Sequence, residues 1–214
     1  MTGLAEHLRL FTAVLLDPPL RRAIREEAEA LLDGTVEKGG GKLGRVREEN
    51  LHVTLKFIGD VHRDDLPALD ETMADAGRRL TPGEIGVEGF GAFPDPRRPR
   101  VIWAGVSDPS GILEPVHARL NETLACSRAG FGAKREKKRY VPHVTLARVR
   151  SSKGGRIDAD LLAERLDEAG DVWMGTQSVE AVALLMSELE KGRPPRYTVL
   201  GHYGPQAREA EQAW

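Results

Sequence analysis

The tetrapeptide His-Val-Thr-Leu occurs twice in this chain of 214 residues, as His52-Val53-Thr54-Leu55 and as His143-Val144-Thr145-Leu146. Average residue usage gives a second copy of a chosen four-residue string, in a chain of that length, a chance on the order of 10⁻³. Each copy lies in a run with strand character, so alternation sends histidine and threonine to one face and valine and leucine to the other. Two such strands meeting across a groove would present two imidazoles and two hydroxyls to one small ligand. A phosphate suits that set. Cleaving a phosphodiester without a metal needs a base for the attacking oxygen, an acid for the departing one, and donors for the non-bridging oxygens. With an ordinary pKa of ~6.5, one imidazole can be neutral while the other is protonated near neutral pH. Threonine hydroxyls donate from a stiff, β-branched side chain.

The rest of the chain offers fewer alternatives. His7, His62, His117 and His202 belong to no repeated pattern and read as solvent or packing residues. The sequence lacks a His-x-x-x-His pair, and no carboxylate stands next to either motif histidine, so a metal centre is not expected. Cys126, the single cysteine, excludes an internal disulfide. It follows the apolar series Leu113, Val116, Leu120 and Leu124 and reads as a buried helical thiol. A net charge of −2 argues against a protein that coats nucleic acid non-specifically, since that binding needs many cations. Two local basic clusters stand out nonetheless: Arg97, Arg98 and Arg100, then Lys134, Arg135, Lys137, Lys138 and Arg139 just ahead of the second tetrapeptide. No run reaches the roughly 18 apolar residues of a membrane span, and Met1–His7 has no signal pattern, so a cytoplasmic location is expected.

The elements that must carry the motifs follow from periodicity. Leu8–Leu16 reads as a strand ended by Asp17-Pro18-Pro19, and Leu20, Ile24, Ala28, Leu31 and Leu32 mark a helix stopped by Asp33-Gly34. The glycines at 39–41 with Lys42 look like a phosphate loop, but Val36 and Leu43 occupy positions that need Gly and Ser or Thr, so the segment reads as a flexible connection. Asn50–Ile58 is the first motif strand. It is followed by a helix over Asp64–Leu80 and strands over Glu84–Phe93 and Arg100–Val106, the last two separated by the proline-rich 94–99. A helix over Ser110–Gly130 leads to the second motif strand, Tyr140–Arg150. A helix over Asp158–Ala169 and two strands, Val172–Leu189 and Tyr197–Tyr203, complete the order. The recurrence points to a duplicated α+β unit with mostly antiparallel pairing. It predicts one two-lobed domain over residues 1–203 with a tail over 204–214.

These residues give the chain a resemblance to the 2H phosphoesterase superfamily, and within it to the RNA 2′,3′-cyclic phosphodiesterase branch, historically called 2′-5′ RNA ligase. The similarity is carried by Arg9-Leu10-Phe11, by Leu51 through Gly59, by Phe93-Pro94 with Arg100 through Val106, and by Pro142 through Arg148. The resemblance implies an α+β fold of duplicated β-α-β-β units with antiparallel sheets around a central cleft, related by a pseudo-twofold axis. It also implies metal-independent hydrolysis of RNA 2′,3′-cyclic phosphate ends to 2′-phosphomonoesters, with no cofactor. In that reading His52 is the proton donor to the leaving 3′ oxygen, His143 the proton acceptor that activates water, and Thr54 and Thr145 orient the phosphate. The near-identical motifs do not by themselves distinguish acid from base.

The resemblance also brings in Phe57 and Arg148 as substrate contacts, with Arg100 and the lysine-rich run as softer candidates. Counting by twos leaves both Phe57 and Arg148 off the His/Thr face, so they reach a nucleotide only where the strand bends or ends. The expected partners are RNA with cyclic-phosphate ends or small cyclic-phosphate nucleotides, with no membrane and a monomeric chain. The alternatives are 2′-5′ ligation in the same site, or a module that binds a nucleotide without turnover.

Overall fold

The computed structural model describes residues 6–35, 42–126, 131, 133–150, 157–190 and 193–205. The chain opens with β1 (His7–Leu15) and α1 (Pro18–Leu32), whose two leading prolines sit in the first turn, where the missing N–H is not needed. β2 (Lys42–Arg45) and the first motif strand β3 (His52–His62) follow, then α2 (Leu66–Arg78) and the hairpin β4 (Gly83–Phe93) and β5 (Val101–Ser107). α3 (Leu113–Cys126) begins where the Asp108 carboxylate accepts from the N–H groups of Ile112 and Leu113, at 3.0 and 2.8 Å. The second motif strand β6 (His143–Arg150), α4 (Ala159–Glu168), β7 (Trp173–Val179), β8 (Val182–Glu188) and β9 (Arg196–Tyr203) complete the order.

All pairings are antiparallel, and the sheet runs β7-β4-β5-β6-β3-β1-β8-β9, with β2 added on β6. The two motif strands are thus the central pair of one curled sheet. They meet in register at a single position, Val53 opposite Val144, and then diverge. Continuing that register one residue either way sets His52 opposite Thr145 and Thr54 opposite His143. The face opposite the histidines is the core: Val53, Val144, Leu55 and Leu146 are buried there, with Ile102, Ala104, Leu69, Met73 and Leu120. α2 and α3 cover the β3 half, and α1 and α4 cover the β4 and β7 half.

Each half of the sheet draws on both halves of the sequence. β1 and β3 are joined by β8 and β9 from the end of the chain, while β4 through β7 make the other half. The run over Val172–Leu189 is two strands rather than one: it breaks at Glu180-Ala181, and β7 pairs with β4 while β8 pairs with β1 and β9. The connection ahead of the first motif contains β2, which a run with Gly44 and two basic residues does not announce. Its strand form comes from the open edge of β6 beyond Val144. Cys126 is exposed, not buried. It ends α3, two residues past Leu124 and so turned away from the buried stripe of Leu113, Leu120 and Leu124. The glycines at 39–41 and the segment 206–214 lie outside the described residues.

Candidate active site

His52 and His143 are held in the same way. The Nδ1 of His52 lies 2.7 Å from the carbonyl of Asn50, and the Nδ1 of His143 lies 2.8 Å from the carbonyl of Val141, each two residues upstream. A carbonyl only accepts, so Nδ1 carries the proton in both rings and leaves Nε2 as the reactive nitrogen. Thr54 Oγ1 lies 3.1 Å from Nε2 of His52 and donates to it when that ring is neutral. Asn50 is itself fixed, since its Nδ2 donates to the Pro195 carbonyl at 2.9 Å, just ahead of β9.

Aromatic rings repeat the symmetry. Tyr197 meets His52 edge to face, with centroids 5.4 Å apart at 84°, and Phe93 meets His143 at 5.1 Å and 83°. The strand next to each motif strand adds a second ring, Phe11 at 5.1 Å from His52 and Trp103 at 6.3 Å from His143. The Trp103 indole lies flat over Gly91, where any Cβ would stand 2.2 Å from the ring, and its N–H is buried without an acceptor among the described residues.

Phe57 and Arg148 reach the cleft because each motif strand is bulged at the same place. Along β1, Thr12 pairs with Lys56 and Ala13 with Thr54, which leaves Leu55 as the extra residue. Along β5, Ile102 pairs with Ala147 and Trp103 with Thr145, which leaves Leu146 extra. The bulge reverses the alternation. Leu55 and Lys56 are buried in succession, as are Leu146 and Ala147, and the next residue, Phe57 or Arg148, turns to the face of the histidines. Phe57 is 54% exposed, with its ring 5.9 Å from that of Phe11. The charge of Arg148 reaches both histidines and Tyr197.

The carbonyls around the bulges are satisfied differently. Leu146 O accepts from the Val46 N–H at 2.8 Å, next to β2. The matching stretch of β3 has no strand beside it among the described residues after β6 diverges, and side chains take that place. His117 Nδ1 donates to Leu55 O at 2.7 Å and the Tyr140 hydroxyl donates to Thr54 O at 3.1 Å, while from the paired strand β1 Thr12 Oγ1 donates to Lys56 O at 3.4 Å. The rings of His117 and Tyr140 stack at 4.2 Å and 7°. Lys56, turned inward by the bulge and 1% exposed, binds Asn121 Oδ1 at 2.8 Å, the Lys134 carbonyl at 2.6 Å and Glu136 at 2.9 Å. This clamp ties down the basic run, whose Lys134, Arg135, Lys137, Lys138 and Arg139 are all exposed. Arg100 is exposed at the start of β5, its N–H donating to Phe93 O and its carbonyl accepting from Val149.

Burial lowers the pKa of both histidines. His52 falls to about 4, through desolvation with smaller contributions from the His143 and Arg148 charges, against the raising effect of the Asn50 carbonyl. His143 falls for the same main reason, opposed by the Val141 carbonyl and helped by Arg148. Desolvation raises Tyr197. Lowered in this way, both imidazoles are neutral at neutral pH, each with an Nε2 lone pair. Among the described residues no three His, Cys, Asp or Glu side chains cluster as metal ligands.

Sequence reasoning singled out His52, Thr54, His143 and Thr145 as candidates, and the structure brings all four to the seam of the sheet. It missed the Asn50 and Val141 carbonyls, which carry no signal of residue type, and Tyr197, which lies far away in the chain. It also missed Lys56, which alternation alone assigns to the wrong face.

A curled antiparallel sheet with a strand-borne His-x-Thr pair on each side of its seam defines the two-histidine class of phosphoesterase folds. The family profile described as LigT like Phosphoesterase matches residues 16–103. An RNA 2′,3′-cyclic phosphodiesterase of Methanothermobacter thermautotrophicus is 36% identical over 187 residues, which are 87% of this chain and 94% of that protein. Among solved structures, TT0787 of Thermus thermophilus aligns with a TM-score of 0.71 and 26% identity, over 94% of this chain and 100% of that one. E. coli LigT complexed with 3′-AMP aligns with a TM-score of 0.66 and 25% identity, over 92% of this chain and 98% of that one. The chain belongs to the LigT-like phosphoesterases of the 2H superfamily.

Proposed function

We propose that this protein is an RNA 2′,3′-cyclic phosphodiesterase that opens the cyclic phosphate by two-histidine acid and base catalysis and leaves a 2′-phosphomonoester. The observation that carries the reading is the matched pair of imidazoles, each with Nδ1 spent on a main-chain carbonyl so that Nε2 is the nitrogen left for proton transfer, on two strands in register at Val53 and Val144. His143 takes a proton from water as the water oxygen attacks phosphorus. His52 gives a proton to the 3′ oxygen as the P–O3′ bond breaks. One proton enters the site and one leaves it, so the pair returns to its starting state after the two rings exchange a proton with solvent. Thr54 and Thr145 donate to the non-bridging oxygens, Arg148 offsets the phosphate charge, and Phe57 takes the terminal base. Arg100 and the basic run are candidates for the RNA backbone.

The acid role asks more of His52 than of His143. With its pKa held at about 4 by burial, His52 becomes an acid near neutral pH only once a bound phosphate anion lifts that value. The site must therefore charge His52 in the complex and leave it neutral otherwise.

The test is end-group analysis of a short RNA bearing a 2′,3′-cyclic phosphate, incubated with the protein in chelator. A 2′-phosphomonoester that disappears in both His52→Ala and His143→Ala supports the reading. Each variant is expected to lose about 10² to 10⁴ in rate. A cyclic end that stays intact while the RNA remains bound would replace this reading with that of a binding module.

A further inference from the structure

Arg9 lies on β1, on the same face as Phe11 and Ala13, because residues two apart share a face and the bulges of this pairing fall on β3. That face is the cleft. The Phe11 ring lies 5.1 Å from His52, 5.9 Å from Phe57 and 5.0 Å from Tyr197. Leu10 pairs with Met186 and Ser187 with Tyr197, so Arg9, Ser187 and Tyr197 run abreast across β1, β8 and β9. Arg9 is exposed and joins none of the ion pairs found among the described residues, although Asp60 stands opposite it in register. Its charge reaches the Tyr197 hydroxyl. One layer of aromatic side chains therefore separates a free guanidinium from His52.

An RNA end has a matching order of groups. Its cyclic phosphate belongs between the histidines, its terminal base belongs on an aromatic ring, and the next charged group is the phosphodiester on the 5′ side of that nucleotide. A free nucleoside 2′,3′-cyclic phosphate ends in a neutral hydroxyl there. We propose that Arg9 binds the phosphodiester 5′ to the terminal nucleotide, so that the site selects the ends of RNA chains over free cyclic mononucleotides. The inference rests on the phosphodiesterase reading above and deepens it by naming the substrate class. A guanidinium suits the task because its planar donors match two phosphate oxygens at once.

The experiment compares two substrates, a dinucleotide ending in a 2′,3′-cyclic phosphate and the corresponding nucleoside 2′,3′-cyclic phosphate, in the wild type, Arg9→Gln and Arg9→Lys. The wild type is expected to prefer the dinucleotide. In Arg9→Gln the ratio of the two kcat/KM values falls about tenfold, through the KM of the dinucleotide, and Arg9→Lys recovers part of it. Because Arg9 is exposed, the substitutions leave folding intact. A wild type with no preference, or an Arg9→Gln ratio within about twofold of the wild type, overturns this inference and leaves the phosphodiesterase reading standing. A wild type that cleaves neither substrate overturns both.

Discussion

Leu55 and Leu146, the fourth residues of the two tetrapeptides, are each the unpaired residue of a β-bulge against the neighbouring strand. The duplication therefore covers a backbone irregularity as well as four side chains. Without the bulge, Phe57 and Arg148 would point into the core and Lys56 into the cleft. With it, each motif strand presents histidine, threonine and one further exposed side chain, Phe57 or Arg148, on the same face.

Phe57 tests that geometry directly. Its ring is more than half exposed and carries little of the core, so Phe57→Ala is expected to change unfolding stability by no more than ~0.5 kcal/mol. The KM for an RNA end should rise about 5- to 100-fold through the lost base stack. Equal KM values for the two proteins would remove Phe57 from the binding surface.

Tyr140 and His117 hold the first bulge from its open side. In Tyr140→Phe the Thr54 carbonyl loses its donor, an expected cost of ~1 kcal/mol or ~3 °C in Tm. Turnover should fall about tenfold, as expected when a fraction of an ångström is lost in the placement of Thr54 and His52. Steady-state kinetics beside a melting curve separate the two effects, and a variant that melts lower but works at full rate would make Tyr140 purely structural.

Lys56 is a buried cation bound to three oxygens, so its removal should be felt mainly in stability. Lys56→Met is expected to lower the urea midpoint by an amount corresponding to about 2 to 3 kcal/mol, because Asn121 and the Lys134 carbonyl are left without their charged donor. Glu136 is partly exposed and recovers water, so Glu136→Gln should cost less. The reverse order would mean that the clamp is organised by the carboxylate.

The pH dependence follows from His52. Its pKa in the folded protein, about 4, lies below the ~6.5 of an unfolded chain, so between these values the unfolded state binds more protons. This contribution to stability is complete above pH ~6.5 and is lost as the pH falls towards 4. Thermal melts across that range should show it, and His52→Gln should flatten the slope. Inorganic phosphate stabilises the protonated ring, so NMR titration of His52 should move to higher pH when phosphate is added. An unshifted titration would mean that the anion does not sit beside this ring.

The sequence alone determined the pair of motif strands, most helices and the shared face of His52, Thr54, His143 and Thr145, because periodicity and a repeated string are local properties that survive without knowledge of neighbours. It could not supply β2, whose strand form comes from the open edge of β6, or the break at Glu180, where the chain passes from one half of the sheet to the other. Above all, it left open the phase of each strand beyond its fourth motif residue, where a bend would be needed to turn Phe57 and Arg148 to the histidine face. Strict alternation is a property of a regular ladder, and whether a ladder is regular depends on which strand lies beside it. Only the pairing of β3 with β1 and of β6 with β5 decides that one residue is skipped. That decision places Phe57, Arg148 and Lys56, as the packing of distant strands places Tyr197 and Arg9 at the same cleft.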